Sequence, residues 1–166
     1  MADGTFLHTA DHKPAGVSRY LANEAETLAL GAELAPGLKP GMVIYLSGNL
    51  GTGKTTLARG VLRGLGYTGK VKSPTFTLVE LYKLSRLYLY HFDFYRVEDS
   101  RELGDAGFRE YFSPESVCLV EWPENAATGL PPADVKVLLR VAGAGRRVEI
   151  SAETEAGRNC VDRLKH

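Results

Sequence analysis

Residues 48–55 form a glycine-rich stretch that ends in lysine and threonine. Their order, Gly-Asn-Leu-Gly-Thr-Gly-Lys-Thr, matches the pattern G-x-x-x-x-G-K-[ST]. Glycines at these spacings let backbone N–H groups approach phosphate oxygens without a clashing Cβ atom. Lys54 can then reach the outer phosphates of a nucleotide, and the Thr55 hydroxyl can ligate Mg²⁺. The same glycines lack the G-x-G-x-x-G spacing of a dinucleotide-binding loop.

The segments on either side of this stretch give it the context that a phosphate-binding loop requires. Residues 42–47 are a short apolar run typical of a strand, and residues 56–62 are predicted to form a helix. The start of that helix adds unpaired N–H donors and the positive end of its dipole. We therefore predict that nucleotide contacts the residues of this loop, which are Gly48, Asn49, Leu50, Gly51, Thr52, Gly53, Lys54, Thr55 and Thr56.

Two acids stand at the ends of predicted strands. Residues 117–120 are a continuous apolar run, typical of a strand buried on both faces of a parallel sheet, and Glu121 follows them. Asp93 lies near the end of an aromatic strand predicted over residues 87–95. Ligands of open α/β sheets bind at the carboxyl ends of strands, so either acid is a candidate magnesium partner. The alternative for Asp93 is a structural role, in which it accepts backbone hydrogen bonds or pairs with Arg96.

The composition is that of an ordinary globular protein. Lysine plus arginine equals aspartate plus glutamate at 20 each, so no global charge favours nucleic acid or a membrane surface. Cys118 and Cys160 have neither disulfide-framework nor zinc-site spacing, which favours a reducing cytosol. No apolar run approaches the roughly 18 residues of a membrane span, and the polar first twenty residues lack a signal-peptide core. We expect a cytoplasmic protein.

The remaining elements follow from periodicity and punctuation. Residues 1–166 are predicted to be one domain, with 1–22 a loose N-terminal segment. Asn23, with Glu26 three positions on, starts a helix that Pro36 stops. Residues 97–113 indicate one or two short helices, residues 134–141 and 146–152 a strand pair, and residues 154–164 a final helix.

A β-hairpin is predicted to contain the first of the two candidate acids, Asp93. Residues 75–82 and 87–95 are assigned as antiparallel strands around a turn at 83–86. With Leu84-Ser85 as the two-residue tip of that turn, Phe76 pairs with Asp93. Counting by two places four aromatic residues on one face of the second strand, which we expect to be core. The fold class predicted from all elements is α/β, a three-layer P-loop NTPase. Its central sheet is mixed and mostly parallel, with antiparallel strands from hairpins.

Four motifs in order resemble the TsaE family (formerly YjeE), the small bacterial ATPases of tRNA threonylcarbamoyladenosine synthesis. They are G-x-L-G-x-G-K-T-T at 48–56, S-P-T-F-T-L-V at 73–79, H-x-D-x-Y-R at 91–96 and V-E-W-P-E at 120–124. The first motif is shared by many nucleotide hydrolases, whereas the combination is highly specific. The resemblance spans about residues 20–150. It departs from the family pattern at Asn49, where an acid is expected, and at Gly104, which lies in a stretch expected to be more acidic.

The resemblance implies an ATPase with Mg²⁺ as cofactor that acts on the complex of TsaB and TsaD. That complex transfers the threonylcarbamoyl group to tRNA, so contact with tRNA is expected to be indirect. Lys54 and the loop glycines would hold the phosphates, and Asp93 would orient or activate the attacking water. The other implied roles are magnesium binding by Thr55 and Glu121, proximity of Trp122 to the nucleotide, and a nucleotide-sensing segment containing Ser73, Thr75 and Thr77.

Three other classes of function share the loop. A small-molecule kinase usually carries an arginine-rich lid, and no convincing lid is present in the sequence. A GTPase should show an N-K-x-D segment, which does not occur. A nucleotide-dependent adaptor that does not hydrolyse ATP stays open on the residues alone. No arginine finger is assignable, and this incomplete stabilising set predicts slow hydrolysis alone and acceleration in a complex.

Overall fold

The computed structural model describes residues 16–105 and 107–164, and every described strand belongs to one seven-stranded sheet. Its strands are β1 (Gly16–Leu21), β2 (Val43–Ser47), β3 (Val79–Lys83), β4 (Tyr88–Asp93), β5 (Ser116–Glu121), β6 (Val135–Ala142) and β7 (Gly145–Ala152). Their spatial order is β1-β7-β6-β2-β5-β4-β3. The mixed α/β sheet predicted from the sequence is confirmed.

Parallel pairing is confined to the centre of the sheet. The strands β6, β2, β5 and β4 run parallel, with β2 between β6 and β5. The outer strands are antiparallel: β1 pairs with β7, β7 with β6, and β3 with β4. The carboxyl ends of β2, β5 and β4 therefore meet at one edge, where ligands of α/β sheets bind.

Helices cover both faces of the sheet and make the three layers. The helices α1 (Glu24–Leu34), α2 (Lys54–Gly64) and α4 (Glu155–Asp162) pack on one face. The other face carries the short helix α3 (Arg101–Asp105) and two 3₁₀ segments, Phe108–Tyr111 and Pro123–Gly129. A further 3₁₀ segment, Ala35–Gly37, continues α1. None of the helices in the described part of the chain is long and apolar enough to cross a membrane.

Helix starts follow the capping residues that the sequence indicates. The Asn23 side chain accepts the backbone N–H of Glu26, and the Glu26 carboxylate accepts the backbone N–H of Ala22. Thr154 caps α4 in the same way, through the N–H of Gly157. The helices predicted over residues 23–36 and 154–164 are confirmed. Their first and last residues differ slightly from the prediction, since the structure has them at Glu24–Leu34 and Glu155–Asp162.

The aromatic face of β4 lies in the core, as predicted. Phe92 and Phe94 are fully buried and pack with Phe108 from the facing 3₁₀ segment. Tyr88, at the start of the strand, is about half exposed. The opposite face of β4 is buried too, and it brings Leu89, His91 and Asp93 toward the side of the sheet that α2 covers.

Two sequence predictions about local structure are wrong. Residues 16–21, predicted to be loose, form β1, because they pair along their whole length with β7. Residues 75–78, predicted to be strand, form a turn in which the N–H of Leu78 bonds to the carbonyl of Pro74 at 2.7 Å. The hairpin register therefore pairs Val79 with Phe92, and Phe76 lies outside the sheet. The part of the loose segment over residues 1–15 lies outside the described residues.

Candidate functional site

The glycine-rich loop joins β2 to α2 and has the backbone that its glycines permit. Gly48, Gly51 and Gly53 all have positive φ angles, at 142°, 78° and 103°. Gly53 is the residue before the first turn of α2, so the loop leads directly into the start of that helix. The first N–H groups of a helix have no partners within it and can bind an anion. A Cβ atom at Gly48 would collide with the Leu139 carbonyl of neighbouring β6. The loop thus fits against the sheet only with glycine there.

Lys54 folds back over this loop. Its Nζ atom donates to the carbonyl oxygens of Gly48 and, at 3.0 Å, Asn49, and it lies 4.6 Å from the centre of the Trp122 ring. The side chain is buried, and burial lowers the pKa of Lys54 against the opposing attraction of nearby carboxylates, of which Glu121 is the strongest. An ammonium group with so little water around it is well placed to exchange these partners for phosphate oxygens.

Thr55 and Glu121 meet across the edge of the sheet. The Thr55 hydroxyl is 3.0 Å and 3.3 Å from the two carboxylate oxygens of Glu121. Glu121 ends β5, is 3% exposed, and also contacts His91 Nε2 at 2.6 Å. A buried carboxylate at this position brings an anionic oxygen next to the hydroxyl at the start of α2.

Asp93 lies beside Glu121 because the two residues are paired in the parallel register of β4 and β5. Its carboxylate accepts the backbone N–H of Tyr95 at 2.9 Å and the Thr75 hydroxyl at 3.3 Å. Burial raises the pKa of Asp93, and the negative charge of Glu121 raises it further, against these hydrogen bonds. The hydrogen bond from the Tyr95 N–H fits the structural role considered for Asp93, in which the acid accepts backbone hydrogen bonds. The pairing with Arg96 considered for that role is not the contact seen, since the Arg96 guanidinium lies 4.6 Å from the centre of the Phe76 ring.

These groups line one cavity of about 370 Å³ at the carboxyl edge of the sheet. Its wall contains twelve residues: Leu50, Gly51, Gly53, Lys54, Thr55, Thr56, Ser73, Thr75, Asp93, Tyr95, Glu121 and Trp122. Most of the residues predicted from the sequence are therefore brought together. Thr77 is not in this wall, and its hydroxyl instead lies 3.3 Å from Glu80. Ser73 and Thr75 are hydrogen-bonded to each other at 2.7 Å.

A second cavity of about 240 Å³ adjoins the first on the other side of the loop. Gly51, Gly53 and Thr56 line both cavities. The second is completed by the start of α1, including Asn23 and Glu24, and by the turn between β6 and β7. The two spaces form a continuous surface along the loop and the first turn of α2.

Arg146 is a site residue that sequence reasoning does not select, because the pair Arg146-Arg147 is typical of a solvated surface. The structure shows that its guanidinium donates to the loop carbonyls of Gly51 at 2.9 Å and Thr52 at 3.2 Å. The adjacent Arg147 is exposed. The β6–β7 hairpin brings Arg146 to the loop because β6 pairs with β2, the strand that leads into the loop, and that pairing links residues far apart in sequence.

The oxygen donors of this site suit Mg²⁺, which prefers hard oxygen ligands and keeps several non-protein ligands. Thr55 supplies a hydroxyl and Glu121 a carboxylate, side by side at the start of α2. Among the described residues, no cluster of three or more His, Cys, Asp or Glu side chains has metal-site geometry. Magnesium here would therefore rely on a bound polyphosphate for further oxygens.

Comparison with known proteins identifies the family of the chain. Residues 21–149 match the family model described as threonylcarbamoyl adenosine biosynthesis protein TsaE. The chain is 41% identical over 150 residues to the TsaE protein of Haemophilus influenzae, covering 87% of this chain and 95% of that one. It is 44% identical over 125 residues to the TsaE protein of Bacillus subtilis, covering 75% and 78%.

A solved structure has the same fold. The crystal structure of YdiB from Bacillus subtilis superposes with a TM-score of 0.78 at 32% identity, covering 93% of this chain and 98% of that one. The family match spans well over half of the chain, and it includes the loop, both acids and β6. The chain therefore belongs to the TsaE family of threonylcarbamoyl adenosine biosynthesis proteins.

Proposed function

We propose that this protein is a Mg²⁺-dependent ATPase required for threonylcarbamoyladenosine modification of tRNA. The observation that carries the proposal is the meeting of Lys54, Thr55, Asp93 and Glu121 in one cavity beside a phosphate-binding loop. The relatives' names supply the pathway, since they are called tRNA threonylcarbamoyladenosine biosynthesis proteins. The protein acts in the cytoplasm on the TsaB–TsaD complex, and its contact with tRNA is indirect.

In this proposal the nucleotide lies along the loop and fills both cavities. The phosphates occupy the larger cavity, where Lys54 and the N–H groups of α2 can neutralise them. The nucleoside occupies the adjoining space between α1 and the β6–β7 turn, which shares the loop as its floor. Trp122 stays close to the outer phosphates because its ring contacts Lys54.

Thr55 and Glu121 hold the magnesium ion in this proposal. A bound Mg²⁺ supplies neutralisation of the charge on the outer phosphates. The chain itself supplies the positions of the two ligands, because both are fixed by regular structure at the start of α2 and the end of β5. The burial of Glu121 keeps water away from its carboxylate and strengthens the interactions of that group.

Asp93 is the group that prepares the attacking water. Water adds to the terminal phosphorus, the bond to the bridging oxygen of ADP breaks, and Asp93 accepts a hydrogen bond and then a proton from the water. A raised pKa suits this task, since the carboxylate binds a proton more readily than an exposed aspartate. Thr75 and the backbone of Tyr95 hold the carboxylate in place.

Partner proteins supply what the site lacks for fast turnover. Among the described residues that line the larger cavity, Lys54 carries the positive charge that faces the phosphates. One ammonium leaves much of the transition-state charge without a donor, so hydrolysis by the chain alone is slow. Docking on the TsaB–TsaD complex is proposed to complete the site and accelerate hydrolysis.

The proposal is tested by forming modified tRNA from purified components over many turnovers. Reactions contain tRNA, the threonylcarbamoyl donor, TsaB, TsaD, ATP and Mg²⁺, with wild-type protein, Lys54→Ala or Asp93→Asn. Both variants are expected to abolish sustained modification, Lys54→Ala through lost nucleotide binding and Asp93→Asn through lost hydrolysis. Full modification with Asp93→Asn would favour the adaptor alternative. A phosphorylated metabolite formed with ATP loss would favour the kinase.

A further inference from the structure

His91 is the first residue of the H-x-D-x-Y-R motif, and nothing in the proposed function uses it. It lies in the middle of β4, paired with Glu80 of β3 and Leu119 of β5. Its side chain is 0% exposed and reaches the carboxylate of Glu121, with Nε2 at 2.6 Å from Oε2. His91 and Asp93 share one face of β4, so the motif brings both to the same acid.

The hydrogen bond assigns the proton of the imidazole ring. Nε2 faces a carboxylate oxygen, whereas Nδ1 is buried and has no hydrogen-bond partner among the described residues. A carboxylate oxygen is a hydrogen-bond acceptor, so Nε2 is the ring nitrogen that donates in this contact.

Packing alone gives no reason for a histidine at this position. A leucine or methionine would fill similar volume in a fully buried site and would leave no polar atom unpaired. One short hydrogen bond to Glu121 compensates part of the free-energy cost of burying the imidazole. That acid is in turn 3.0 Å from the Thr55 hydroxyl, so the contacts form a continuous row from His91 through Glu121 to Thr55.

We propose that His91 is a positioning residue for the magnesium site. By donating from Nε2 to Glu121 Oε2, it fixes the rotamer of the carboxylate so that the acid faces Thr55 at the start of α2. Outer groups that orient metal ligands in this way commonly contribute 10- to 100-fold in metal affinity. This inference rests on the proposed function, because it assumes that Thr55 and Glu121 hold magnesium.

The test uses two substitutions that separate the two ring nitrogens. In His91→Gln the side-chain amide N–H lies the same number of bonds from Cβ as Nε2, and it can still reach Glu121. In His91→Asn the amide corresponds to Nδ1 and falls short of the acid. His91→Leu removes both ring nitrogens. Phe92→Leu is the control, because it disturbs the buried packing of the same strand on the opposite face.

The measurement is calorimetric binding of ATP to each variant at a series of Mg²⁺ concentrations, with ADP binding in EDTA as the reference. We expect His91→Asn and His91→Leu to raise the Mg²⁺ concentration for half-maximal ATP binding by about 10- to 100-fold. His91→Gln and Phe92→Leu are expected to stay near wild type. ADP binding in EDTA should be unchanged in all four, since the loop itself is untouched.

Two results would overturn the inference. One is wild-type Mg²⁺ dependence in His91→Asn, and the other is a defect in His91→Gln as large as that in His91→Asn, in proteins that bind ADP normally in EDTA. If His91→Leu does not fold, the glutamine and asparagine variants decide. Glu121→Gln separates this inference from the proposed function: if wild type and Glu121→Gln respond equally to Mg²⁺, the magnesium site itself is wrong.

Discussion

At the scale of single residues, the site depends on charges that are buried together. Lys54, Asp93 and Glu121 are each less than a tenth exposed, and Asp93 and Glu121 stand on neighbouring strands. Such groups are destabilising unless other groups compensate their charge. In this fold that cost falls on the residues proposed to bind and hydrolyse nucleotide, and perturbed pKa values collect at functional sites of proteins.

Asp93→Asn is expected to separate catalysis from stability. Loss of the general base should lower ATP hydrolysis by about 10²- to 10⁴-fold while ATP binding persists. Burial raises the pKa of Asp93 in the folded protein, so ionisation of this acid opposes folding as the pH rises through that pKa. The variant cannot ionise, and it should therefore have a higher free energy of unfolding than wild type at pH 7. That difference should shrink as the pH falls through and below about 4, because aspartate then becomes protonated in the unfolded state as well.

Urea denaturation of both proteins at neutral and acidic pH checks the stability half, and phosphate release checks the catalytic half. A variant that is less stable than wild type at neutral pH, with a gap that widens on acidification, would contradict the assigned direction of the pKa shift.

Trp122 should report nucleotide binding directly. It is the one tryptophan in the sequence, and its ring lies 4.6 Å from the ammonium group of Lys54. When Lys54 turns to a phosphate, the charge next to the indole changes, so titration with ATP and Mg²⁺ should change the emission spectrum. Lys54→Met serves as the control and should show no saturable change. An unchanged wild-type spectrum at an ATP concentration that calorimetry shows to be saturating would place Trp122 away from the nucleotide.

At the scale of elements, the phosphate-binding loop is held from two sides. Its ends are fixed by β2 and α2, and its middle is fixed by Arg146 at the start of β7. Because the guanidinium donates to the carbonyl oxygens of Gly51 and Thr52, it ties the middle of the loop to the β6–β7 hairpin. The β6–β7 hairpin therefore contributes to the site although it holds none of the residues selected from the sequence motifs.

Arg146→Ala is expected to weaken ATP binding by releasing this hold on the loop. Loss of two hydrogen bonds from a charged donor is worth about 1.5–3 kcal/mol each at most, and a tenfold weakening of binding corresponds to 1.4 kcal/mol. We expect a fall in affinity of about tenfold or more. Arg147→Ala is the matched control, since it removes the same charge from the exposed neighbour. Equal ATP affinities of the two variants in calorimetry would show that Arg146 does not contribute to ATP binding.

At the scale of the whole molecule, the sequence predicts the centre of the fold better than its edges. The central strands β2 and β5 are largely continuous apolar runs. Such runs are typical of strands in the middle of a parallel sheet, where both faces are buried. The edge strand β1 has an alternating, half-exposed sequence, and it becomes a strand only through its partner β7. Long-range pairing of this kind leaves little trace in a local pattern.

The candidate site also contains some residues that the sequence predicts and others that it does not. The loop and the two acids stand in motifs that carry their own chemistry, so residue type and spacing identified them. The turn at residues 75–78 was missed because Thr75, Phe76 and Thr77 favour strands locally. In the structure Leu78 instead has a φ of 69°, and Phe76 is 82% exposed. The links through His91 and Arg146 depend on strand register, which no short motif contains.

The central claim is that this cavity hydrolyses ATP and does so in response to its partner proteins. The most direct test is the rate of phosphate release at saturating ATP and Mg²⁺, measured for the chain alone, then with the TsaB–TsaD pair, then with tRNA added. Wild type is expected to be slow alone and clearly faster with the pair, and Asp93→Asn is expected to stay slow throughout. Equal wild-type rates with and without the pair, or acceleration that survives Asp93→Asn, would contradict the account.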